Sequence, residues 1–242
     1  MTIAIAGDLK QGDIGMILER YFGQLPDKHQ PSLVIPMLDV SGVAQSIKID
    51  QPFDQNVVVF AKQGIARADP EFYPAYIANH ILGGSGLESR LMIKVREENG
   101  LVYSIYSYLN TLEYANILAG GFATRSENVD QAIALVKQEF SNVNAGGVEQ
   151  QALIDAKQYL VYSFPLRMTK NANLSGFLLS MQLNDLGQDF LQKRNGYVEA
   201  VNKESVDQIA KKLFDPNELT FVVVGKQQKE NVIPPPPTHP TE

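Results

Sequence analysis

Cysteine is absent from the 242 residues, which excludes thiol nucleophiles, disulfides and thiolate-bound metal. No apolar run approaches the ~20 residues needed to span a bilayer as a helix. A basic excess is also missing: the net charge is −6, so no positive field draws nucleic acid or an anionic membrane surface. Met1 to Lys10 lack the basic start and apolar centre of a secretion signal. The compartment therefore stays open between periplasm and cytoplasm. The remaining composition is ordinary for a globular domain, 44% hydrophobic and 20% charged.

Histidine is scarce as well. His29, His80 and His239 are far apart, and neither H-E-x-x-H nor H-x-x-E-H occurs. Those arrangements place two imidazoles and a general-base Glu on one helix face. His80 falls on an apolar helical stripe and reads as a packing histidine, so no metal site is assigned. No G-x-S-x-G elbow exists for a serine nucleophile. Glu97 and Glu98 are adjacent and diverge on a helix, which describes a solvated face.

The pattern of apolar residues predicts an α+β fold, a largely antiparallel sheet with helices packed on one face. Thr2–Ala6 reads as a short strand, followed by a helix capped by Asp13 with Ile14, Ile17, Leu18, Tyr21 and Phe22 on its stripe. Residues 1–30 read as this strand–helix segment, too short to bury a core alone, and 31–44 read as a linker. Residues 45–226 form the main domain, and 227–242 a disordered, proline-rich tail. Strands around 44–49 and 56–62 suggest a hairpin through Pro52 and Asp54. Asp69-Pro70 opens a helix that Gly83-Gly84 ends, and Ser85 caps the next, to about Asn99. Leu101–Leu109 and Tyr114–Thr124 read as paired strands. Helices follow from Ser126 and near 148–163, 170–185 and 203–214, and Leu219–Val224 is the last strand.

Two features bear on chemistry. Gly83-Gly-Ser-Gly86 lies between helices and does not complete a phosphate-binding fingerprint. It leaves an anion at the following helix N-terminus or a plain turn as alternatives. Arg96 near a helix end, Gly100 at the turn and Tyr103 near the start of the next strand can bring a guanidinium and a phenol toward one point. Arg suits a substrate carbonyl or carboxylate, and Tyr an oxygen gaining charge. On spacing alone, a solvated Arg and a core Tyr are the commoner outcome.

At these residues the chain resembles a known family. Ile81-Leu-Gly-Gly-Ser-Gly-Leu-Glu-Ser-Arg-Leu91 and Val95-Arg-Glu-Glu-Asn-Gly-Leu-Val-Tyr-Ser104 are similar to the metal-free second half of insulinase/pitrilysin zinc peptidases. Ala6-Gly-Asp-Leu and Arg20-Tyr-Phe-Gly-Gln-Leu-Pro26 resemble the segment joining the halves. The resemblance implies a hydrolase of peptides in a closed chamber. Zinc is then expected on a zinc-bearing N-terminal half or partner subunit and not on this chain, with a homo- or heterodimer as one form of the pairing. It carries catalytic and substrate-binding roles onto Arg96 and Tyr103. Some members of the family are inactive scaffolds, which is the alternative reading.

Overall fold

A computed structural model describes residues 1–26, 34–37 and 44–226. Parts of the expected linker and seam, the proline-rich tail, His29 and His239 lie outside the described residues. Five strands form one sheet, β1 (Ser46–Asp50), β2 (Gln55–Gln63), β3 (Ile105–Thr111), β4 (Asn116–Arg125) and β5 (Thr220–Gly225). Their order is β1-β5-β2-β4-β3, antiparallel except for the parallel β1–β5 pair. The helices are α1 (Gln11–Phe22), α2 (Phe72–Asn79), α3 (Val129–Gly146), α4 (Gln150–Tyr162), α5 (Asn171–Leu183), α6 (Phe190–Glu199) and α7 (Lys203–Leu213).

Strand periodicity sorts the two faces of the sheet. Val58, Phe60, Phe122, Phe221 and Val223 are buried in one core with Val136 and Phe140 of α3 and Ile209 and Phe214 at α7. Phe60 meets Phe140 edge-on at 5.8 Å, a favoured aromatic geometry. The alternate residues Ile47, Ile49, Val57, Val59, Tyr106 and Tyr108 are apolar yet exposed, so the opposite face is greasy and open.

Several local expectations are corrected. Residues 2–6 form no strand, and α1 begins at Gln11 with Asp13 inside its first turn rather than capping it. β1 and β2 are not a hairpin, because β5 lies between them and bonds to both. Asp69 does act at a helix start: its carboxylate accepts the Glu71 N–H at 2.8 Å, just before α2 begins at Phe72. Ser126 donates to Asn56 at 3.0 Å and caps no helix. α6 was not expected from the sequence pattern.

α2 runs on into a π-helical turn, His80–Gly84, which lies against the edge of β3. Asn79 Nδ2 donates to the Ser107 carbonyl at 3.2 Å, and the Ser107 hydroxyl donates to Asn79 Oδ1 at 2.8 Å. At this point the backbones nearly touch. A Cβ on Gly83 would stand 2.3 Å from Ser107 Oγ and 2.8 Å from Ser107 N. Gly83→Ala is therefore expected to cost about 1–3 kcal/mol as the turn is forced off the strand. Urea denaturation checks this, and an unchanged midpoint would mean the turn has room to move.

Candidate functional site

The segment after Arg90 is helical because Leu91, Met92 and Val95 bury one stripe. It widens into a π-helical turn over Met92–Glu97, which carries Arg96, half-buried, at the rim. Ser85 does not cap it. The Ser89 hydroxyl faces the Met92 N–H at 3.4 Å and donates to the Gly86 carbonyl at 2.8 Å. Gly100, at φ +63°, takes the left-handed conformation that ends the helix. Its N–H donates to the Arg96 carbonyl at 2.8 Å, and the Leu101 N–H to the Val95 carbonyl at 3.1 Å.

The chain then reverses before β3 starts at Ile105, so Tyr103 lies in a turn and not in the strand expected for it. Leu101 and Val102 plug into the core, whereas Tyr103 is 83% exposed. The Arg96 guanidinium carbon is 5.7 Å from the centroid of the Tyr103 ring, within cation–π range. The structure thus brings the two predicted site residues together. The Leu101 carbonyl accepts from the Thr124 hydroxyl of β4, and the Ile105 N–H points at Met92 Sδ, 3.3 Å away. Nothing in sequence spacing marked either contact, because each depends on how one element packs against another.

His80 is buried, its ring stacked on Tyr159 at 5.2 Å. Burial, and then the positive charge of Arg167, push its imidazole down to about pKa 4. Glu88 and Asp155 border the same cleft of about 440 Å³. Even so, no group of three or more His, Cys, Asp or Glu could hold a metal ion among the described residues. No helix among them is long and apolar enough to cross a membrane.

The anion-binding alternative loses its basis. The chain continues from Gly86 as a single 3₁₀ turn, Gly86–Glu88, and not as a helix long enough to present aligned amides. Close packing against Ser107 accounts for Gly83, and φ +68° for Gly86.

The family described as peptidase M16 inactive domain matches residues 1–160. The chain belongs to that family. Among M16 relatives, the non-peptidase homolog YmxG of Helicobacter pylori is 32% identical over 155 residues, covering 62% of this chain and 34% of that protein. A Bacillus subtilis protein, named uncharacterized zinc protease YmxG, is 24% identical over 221 residues, 88% of this chain and 51% of its own. The crystal structure of a peptidase M16 inactive domain from Pseudomonas fluorescens superposes with a TM-score of 0.78 at 28% identity, over 92% of this chain and 53% of that one. The chain therefore spans about half or less of the length of these M16 relatives. The α+β architecture expected from the sequence is that of this domain.

Proposed function

We propose that this M16 domain is the substrate-gripping, metal-free half of a two-part zinc peptidase, with Arg96 and Tyr103 reaching the substrate. The observation that carries this reading is the presentation of the pair. A phenol and a guanidinium lie together on one anchored turn, and the phenol is open to solvent. Both groups are hydrogen-bond donors suited to peptide oxygens. Arg96 would hold a substrate carbonyl. Tyr103 would donate to the scissile oxygen as it gains charge. Zinc on the other half would supply the Lewis acid and the activated water.

The second reading is a scaffold of the same fold without catalysis, and the name of the Helicobacter relative, a non-peptidase homolog, favours it. Peptide hydrolysis by the chain assembled with its zinc-bearing half separates the two. Arg96→Ala is expected to lower kcat/KM by roughly 10- to 100-fold, through both KM and kcat, because the carbonyl it holds is present in both states. Arg96→Lys recovers part of the loss, since charge is restored but not the planar fork. An assembly that loads zinc yet hydrolyses no peptide, or full activity in Arg96→Ala, would establish the scaffold.

A further inference from the structure

The turn that carries Tyr103 is fastened at both ends by side chains of other elements, and the fastening occurs where the β3–β4 ladder stops. Pairing runs from Thr111↔Asn116 to Ile105↔Phe122 and ends there. Two more residues in the same register would put Tyr103 opposite Thr124. In that position Tyr103 would share the core-facing side of β3 with Ile105 and Ser107, both buried. The chain does something else. β4 continues to Arg125, still paired to β2 through Asn56↔Thr124, so Thr124 is in place and available. Its hydroxyl donates to the Leu101 carbonyl instead of facing a tyrosine across the ladder. Leu101 is 9% exposed and Thr124 2%, so water does not replace that bond. On the other side, the Ile105 N–H is directed at Met92 Sδ. Only Val102, Tyr103 and Ser104 lie between the two fastenings, and Val102 is buried.

We infer that Thr124 is the positioning residue for Tyr103: by gripping the Leu101 carbonyl it stops the β3–β4 ladder two residues short and turns the phenol out of the sheet. The inference rests on the proposed role of Tyr103 for its catalytic consequence, but its structural content stands apart. Removing the hydroxyl leaves a buried carbonyl without a donor, which a short shift of the turn would relieve. The shift available is continued pairing with β4, which carries residue 103 toward the interior.

The chain contains no tryptophan, so Tyr103→Trp introduces a single reporter. In this background the indole is expected to be freely quenched by acrylamide. Adding Thr124→Val is expected to blue-shift its emission and reduce the quenching, whereas Thr124→Ser, which keeps the hydroxyl, leaves both unchanged. With Tyr103 retained and the zinc-bearing half present, Thr124→Val lowers kcat by roughly 10- to 100-fold with little change in KM, the signature of a misplaced group. Thr124→Ser restores it. Should Thr124→Val fail to fold, Thr124→Ala makes the same comparison. A folded Thr124→Val or Thr124→Ala protein with emission and quenching unchanged overturns the inference. If Tyr103→Phe proves fully active, the catalytic reading fails, and the quenching comparison still decides what Thr124 does.

Discussion

Tyr103→Phe, in the chain assembled with its zinc-bearing half, is expected to lower kcat by roughly 10²–10³ while KM changes little. The phenolic O–H is proposed to act on an oxygen whose charge exists mainly in the transition state, so the substrate complex loses almost nothing when it is removed. Folding stability should stay the same. At 83% exposure the ring contributes little to the core, and the residues that anchor its turn are Leu101 and Val102. The Arg96 guanidinium lies over the ring and not at the hydroxyl end of a hydrogen bond, so phenylalanine keeps that contact. Steady-state hydrolysis with melting temperature as control is the measurement. Full turnover, or a large fall in melting temperature, would assign Tyr103 to packing.

Acidification is expected to destabilise the domain through His80. His80 falls from 6.5 to about 4 through burial and the neighbouring Arg167. The folded state thus prefers the neutral imidazole, while the unfolded chain protonates near pH 6.5. The unfolded state binds more protons between these limits, so stability is full above pH 6.5 and is lost as pH falls toward 4. The loss amounts to roughly 3 kcal/mol once both values have been passed. His80→Phe keeps an aromatic ring against Tyr159 and removes the proton. Urea midpoints measured from pH 7 to 5 should slope in the parent and flatten in the variant. Parallel slopes would show that His80 is not the group responsible.

Elements with local signals were legible in the sequence. The β3–β4 pair is joined by four residues, and of Val129, Ile133, Val136 and Phe140, which stand at helical spacing in α3, all but the half-buried Ile133 are buried. The expectations that failed depended on distant partners. β1 and β2 have the flanking turn residues of a hairpin, and nothing in residues 44–63 reveals that residues 220–225 come between them. α6 escaped notice because its apolar positions are few and Asn195-Gly196 reads as a turn, while burial of Phe190, Arg194 and Val198 sustains the helix. Helix–turn–strand spacing raised Arg96 and Tyr103 as a pair, and the resemblance supplied the roles proposed for them. Alternation from Tyr103 through Ile105 to Ser107 suggested a strand, and it misled because the ladder stops at Ile105.

The place of β5 between β1 and β2 has a consequence for synthesis. The second strand of the sheet is the last of the five to leave the ribosome, about 160 residues after β2 and about 170 after β1. Until then β1 lacks β5, the strand it pairs with among the described residues, and Val58 and Phe60 lack the packing of Phe221 and Val223. Loop closure over such separations is slow, and unfinished strand edges invite pairing between chains. Translation must therefore pass residue 225 before the sheet can close, and a nascent chain stalled earlier lacks the strand that joins β1 to β2.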